Sequence, residues 1–446
     1  MPTPLSSTST LTTTAGFDVT STTIKNCRFL SPDSGDFVDG AVRIADGLIT
    51  GTSRNETSGL DSSEQTIDAE GMLLIPGLID CYARLREPGF EKSATIASET
   101  NAAAHSGITT LFCAPDTDPV TDETATVELI KRKANAAIGV KVLPIGALTK
   151  GLNGEQLGEM VTLAEAGCIA FCNGDFPMHN TQVIRRVMEY SAGFGLKLII
   201  APQDRWLSDG VAHEGAVSTR LGLRAIPAAA ETVALAQLIE LCYQTNASVH
   251  FSRLSSQRGV QLISQAKKDN IDITADTGID HLFLTEMDTS DFNSNCHTSP
   301  PFRSQRDRDA LREGISNGVI DAICSNHSPH EIDSKLTPFA ESAPGISALD
   351  SYLGLLLKLA DDSGIALSSV IACASSGPAR CFGLEQGSLA AGTPADLCII
   401  DDRVDWEFQT GSMLSDGKNS PYQGWLFNGA LHSVYVNGHP LPIRRQ

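Results

Sequence analysis

The sequence predicts an α/β protein: a (β/α)₈ TIM-like barrel with a small composite β-sandwich domain built from both ends of the chain. Eight apolar, β-type runs fill the middle, most of them followed by a stretch whose apolar residues recur at three and four. Both ends show short alternating runs divided by turn pairs. The length of 446 residues, at about 100–200 per domain, allows several domains or one large barrel with an accessory layer.

Residues 1–17 are Ser/Thr-rich, with nine such residues between Thr3 and Thr14, and read as a polar tail that buries too little to offset the entropy of ordering. Residues 18–72 alternate, as in AVRIADGLITGTS, where Ala-Asp-Gly separates two strand-like pieces. The barrel is expected over 73–387. Its runs are LLIPGLIDCYA (73–83), ITTLFCAPD (108–116), KVLPIGALT (141–149), CIAFCNGD (168–175), LKLIIAPQD (196–204), SVHFSRLS (248–255), DITADTG (272–278) and IDAICSNHSPH (320–330). Residues 388–446 return to alternation, with LFNGALHSVYVNGHPL carrying two Asn-Gly turns, and are expected to join 18–72 in one β domain. An open doubly wound sheet fits less well, because no GxGxxG follows a strand and eight units suit closure.

A net charge of −20 argues against a nucleic-acid or anionic-membrane binder, since both need a surplus of Lys and Arg. The eleven cysteines are scattered without a CxxC, as reduced cytosolic thiols are. No apolar run approaches the ~20 residues of a membrane span and no signal peptide is apparent, so the expected location is the cytoplasm.

Barrel chemistry sits at the C-terminal strand ends. The candidates there are Asp80, Asp116, Asp175, Asp204, His250, Asp276, His327 and His330, with no HExxH, GxSxG or P-loop. His250 and His281 have apolar neighbours and read as satisfied core groups, while Asp204 and Asp276 read as loop caps.

Seven segments in order carry a resemblance. PGLIDCYARLREPGFE looks like PGxIDxHxHxREPG, and CAPDTDP like xMPNTxP. GALTKGLNGEQLGEM, HEGAVSTRLGLRAIPAAAE, SPPFRSQRDRDALREGI, SNHSPH and SGPARCFGL follow. On these, the chain resembles the dihydroorotases of the amidohydrolase superfamily, metal-dependent hydrolases with a barrel and a composite β domain.

What the resemblance implies for the site is a wholesale replacement. Tyr82 and Arg84 stand where the family has its first-strand HxH, Asn173 and Gly174 where it has an acid, and Asp175 is displaced by one. Ala201 and Arg253 occupy the fifth- and sixth-strand His positions, and Asn326 that of the catalytic Asp. Guanidinium groups cannot bind a cation, so the resemblance implies no metal and no other cofactor. Of the substrate-holding positions, Arg86 and His330 match the family, whereas Asp116 and Ser299 replace asparagines, and an acid repels an anionic substrate. Arg84 and Arg253 are expected to fill the metal volume and pair with a carboxylate such as Asp175; the sharper alternative is an anion pocket shared with Arg86.

The chain is most similar in pattern to silent dihydroorotase-like chains that join the aspartate carbamoyltransferase catalytic chain in a large assembly. The implied function is therefore a non-catalytic subunit of pyrimidine biosynthesis that binds that enzyme and associates with itself. The alternative is a divergent cyclic-amide hydrolase with one relocated metal on Asp175, His327 and His330.

Overall fold

The computed structural model describes residues 21–54 and 65–443; the tail expected at 1–17 lies outside them. Eight parallel strands form the barrel: Leu78–Ala83, Ile108–Cys113, Lys141–Ala147, Ala170–Cys172, Leu198–Ile200, Val249–Phe251, Ile273–Gly278 and Ala322–Cys324. Each pairs with its sequence neighbour. Strands such as Leu78–Ala83 and Ile108–Cys113 are buried at every position because helices cover their outer faces, which is why they read as continuous apolar runs.

Between the first and eighth strands the backbone ladder is sparse, with a bridge from Ala83 to His327 and a hydrogen bond from Arg84 N to His327 O at 3.0 Å. Side chains complete the closure. Buried Asp80 on the first strand accepts from Ser325 N (2.9 Å) and Ser325 Oγ on the eighth. Burial disfavours its charge and raises the carboxyl to about 6 despite those bonds.

The run at 73–83 is two strands in two sheets. Leu73–Pro76 pairs with Thr22–Leu30 and with Leu397–Glu407, whereas Leu78–Ala83 enters the barrel. Gly77 makes the crossing, where any Cβ would overlap the Thr109 side chain. The chain termini thus form a separate sheet of eight strands outside the barrel. Asp46 and Gly47, both left-handed, turn Phe37–Ala45 into Leu48–Ser53 as the Ala-Asp-Gly reading expects. Asn437-Gly438 is likewise a turn. Asn428-Gly429, however, lies inside the strand Leu426–Val436, opposite a register shift, and acts as a bulge.

All eleven cysteines are buried and none is joined in a disulfide, and among the described residues no helix is long and apolar enough to cross a membrane. A surface hollow of about 660 Å³ lies on the outer wall between the helices Gln257–Lys268 and Gln305–Ser316, away from the strand ends.

Candidate functional site

At the barrel mouth the first, fourth and sixth strands deliver Arg84, Asp175 and Arg253 to one point. Asn173 holds the fourth-strand loop by donating from Nδ2 to Leu152 O (3.0 Å) and Phe176 O (2.9 Å) while accepting from Thr149 Oγ1. Gly174 then takes a left-handed φ of 62°, which reverses the chain and turns Asp175 inward. Asp175 meets Arg84 Nη2 and Arg253 Nη1, each at 2.5 Å, and Arg84 Nε meets Asp116 at 2.6 Å. The Arg253 guanidinium lies 4.2 Å from the Tyr82 ring centroid, and Arg84 donates to the Tyr82 hydroxyl at 3.2 Å. Two cations and two anions form a neutral tetrad over an aromatic floor.

Burial opposes the charge of Asp175, but Arg253 and Arg84 outweigh it and hold the carboxyl at about 2, below its ordinary 3.8. Because the folded value is depressed, the stabilisation is full above pH 4 and fades as pH falls towards 2. With Asp175 partly exposed we expect it to be worth about 1–2 kcal/mol, and Asp175→Asn should abolish that acid limb in thermal unfolding measured between pH 5 and 3.

Beside the tetrad, two gaps of about 20 Å³ touch Asp175 and Ala201, one of them lined by Ser299 and the other by Gly174. Each has room for about one water, whereas small-molecule sites run to about 300–1,000 Å³. Asn326, just past the eighth strand, donates weakly to Asp280 at 3.5 Å, and its Oδ1 is buried without a partner among the described residues. The positions that the resemblance assigns to metal ligands therefore offer two guanidinium groups, two amides, a phenol, and at Gly174 and Ala201 no side-chain donor at all. That donor set does not fit a divalent metal.

The sharper anion-pocket reading does not hold. Arg84 and Arg253 are neutralised in the tetrad, and Arg86 turns to Pro329 O (3.0 Å), Ser328 Oγ (2.9 Å) and His330 Nε2 (3.3 Å). Burial and the charge of Arg84 lower the Arg86 guanidinium to about 10, and burial together with Arg86 lowers His330 to about 3, so His330 is neutral. Asp116, expected to repel an anion, is instead an ion-pair partner.

Nor do Asp175, His327 and His330 converge on a relocated metal. His327 Nδ1 accepts from Ala348 N, so its Nε2 carries the proton donated to Glu99 at 2.6 Å. His330 Nε2 faces Pro344 O at 2.9 Å. Asp204 does cap its loop, accepting from Trp206 N and Leu207 N. His281 is satisfied by Asp280 and Pro300 O.

Asp276 is not a loop cap. It sits wholly buried on the seventh strand and accepts from His250 Nε2 (2.8 Å), Arg253 N (2.6 Å) and Ser252 Oγ (3.3 Å), with the Cys81 and Cys324 thiols at 3.6 and 3.4 Å. Cys81, His250 and Asp276 form the one group among the described residues with three metal-type donors within 4.8 Å. Burial drives both thiols well above their ordinary value, and Asp276 outweighs burial to lift His250 to about 9. Neutral thiols and a protonated imidazole are donors to the carboxylate, so the group is a hydrogen-bonded knot. It also fixes Arg253, whose φ of 60° is left-handed like those of Arg86 and Asn326 past the first and eighth strands. Sequence reasoning missed Glu99; its one signal is that it is the single acid in the helix Ile96–His105.

A parallel barrel closed on itself, a separate sheet drawn from both termini, and a strand-end centre at the barrel mouth define an amidohydrolase-type protein. An amidohydrolase family model matches residues 208–441, and a dihydro-orotase-like one matches 71–258. The chain belongs to the dihydroorotase-like family. It is 44% identical over 380 residues to a dihydroorotase-like protein of Pseudomonas putida, covering 85% of this chain and 89% of that one. It is 37% identical to a dihydroorotase of Syntrophotalea carbinolica, covering 93% and 97%. The L-hydantoinase of Arthrobacter aurescens shares the fold, with a TM-score of 0.86 at 22% identity over 96% of this chain and 97% of that one.

Proposed function

We propose that this chain is a non-catalytic dihydroorotase-like subunit that binds aspartate carbamoyltransferase and supports its assembly and activity in pyrimidine biosynthesis. It acts in the cytoplasm, in an assembly where its copies also associate. One observation carries the reading: the neutral tetrad of Arg84, Asp116, Asp175 and Arg253 fills the strand-end centre where a hydrolase would place metal and substrate. Without a metal there is no hydroxide near neutral pH, and the amide of Asn326 cannot shuttle a proton. What remains for the scaffold is binding, and a chain that prefers the assembled partner stabilises it by its differential affinity.

The test mixes the purified chain with the carbamoyltransferase of the same organism. A complex far heavier than either is expected, and withdrawing this chain should lower the enzyme's activity or thermal stability. A carbamoyltransferase unchanged in size and activity without it overturns the reading, as does dihydroorotase turnover by the unmodified chain. Asn326→Asp should stay at background in both directions of the cyclisation. It restores one group of a unit and sets a carboxylate against buried Asp280, so it should also lower the melting temperature.

A further inference from the structure

Two loops at the barrel mouth, 285–297 after the seventh strand and 331–345 after the eighth, present large apolar side chains to solvent. Met287 is 60% exposed, Phe292 50%, Ile332 65% and Leu336 76%. They form one surface because the loops are stapled together. Buried Lys335 donates to Ser294 O at 2.9 Å and His297 O at 3.3 Å, and Ser294 Oγ returns a bond to Lys335 O at 2.6 Å. His297 adds a bond to Ser342 and stacks on Phe339. Phe292 is held at a φ of 61°, a conformation that costs a bulky residue energy and is kept only where the surroundings enforce it.

The exposed charges on these loops have one sign. Asp288, Asp291, Glu331, Asp333 and Glu341 are exposed, and the single cation, Lys335, is buried in the staple. An apolar centre with a carboxylate rim is a recognition surface rather than a random scatter of exposed residues. The rim also selects its occupant. A second copy would meet it with the same carboxylates in a two-fold contact, and the chain as a whole carries −20. Anionic lipid and nucleic acid are repelled in the same way.

We infer that this patch is the docking surface for a protein partner whose contact face has an apolar centre ringed by Lys and Arg. Resting on the reading above, that partner is the carbamoyltransferase. The staple makes the surface preorganised, so little ordering entropy opposes binding, and the carboxylate rim steers the encounter.

Binding of the purified carbamoyltransferase to the full-length chain tests this by calorimetry and sedimentation. Phe292→Asn with Leu336→Ser removes the apolar centre while giving position 292 a residue that accepts a left-handed backbone. Asp291→Lys with Asp333→Lys and Glu341→Lys inverts the rim. Each set should weaken binding at least about tenfold, with far-UV circular dichroism unchanged because every substituted side chain is exposed. Wild-type affinity should fall as salt rises from about 50 to 300 mM, and the inverted rim should lose that dependence. Tyr243→Ser, exposed on the remote helix Ala229–Thr245, should change nothing. Wild-type binding that both variant sets retain overturns the docking surface and leaves the proposed function standing. Absence of any wild-type complex overturns both.

Discussion

Asp276→Asn should lower the stability of the chain by about 3–5 kcal/mol, the usual effect of removing one partner from a buried charge pair. The substitution keeps the shape and takes away only the charge that His250, Arg253 N and two thiols address. Its pH signature separates it from a packing defect. The folded imidazole of His250 is raised from 6.5 to about 9, so the pair's contribution is complete below pH 6.5 and is lost as pH rises through about 9. Urea unfolding at pH 6 and at pH 9 should show wild type losing much of its advantage at the higher pH and the variant hardly changing. Equal sensitivity of the two proteins would refute the ion pair.

Glu99→Ala should destabilise by a similar amount, about 3–5 kcal/mol, because it leaves several donors in the interior without an acceptor. Glu99 receives His327 Nε2 at 2.6 Å, Ser98 Oγ at 2.9 Å and Asp416 N at 3.1 Å, tying a helix behind the first strand to the eighth-strand loop and to the segment that returns to the outer sheet. Hydrogen exchange should show residues 413–420 losing protection before the barrel core does. A double-mutant cycle with His327→Ala should return a coupling of at least about 1 kcal/mol; additive effects would mean the contact is incidental.

The barrel was legible because parallel strands buried on both faces leave continuous apolar runs, and each of the eight runs contains its strand. The boundary at Gly77 was not, since LLIP and LIDCYA are both apolar and the change of sheet lies in backbone direction alone. Asn428-Gly429 was read as a turn because the dipeptide alone does not reveal whether the strand continues past it. At the mouth, the pairing of Arg84 and Arg253 with Asp175 followed from the ligand positions that the resemblance assigns to the two arginines, together with charge. The part played by Asp116 did not, because which carboxylate an arginine fork reaches depends on loops folding towards one another. Asp276 in TADTG looks like a turn residue in one dimension. Only the barrel places it under His250, 26 positions away. Glu99 and His327, 228 positions apart, leave no local trace of their contact.

The tetrad at the mouth has a consequence for the economy of the cell. A hydrolase whose barrel mouth is organised by bound ions is only as abundant, in working form, as the supply of those ions allows. Here the same volume is organised by side chains that arrive with the polypeptide, in a one-to-one ratio set by translation. On the subunit reading proposed above, such a chain needs no ion loaded before it binds, so neither metal starvation nor competition among metalloproteins should alter how many copies stand ready for a partner.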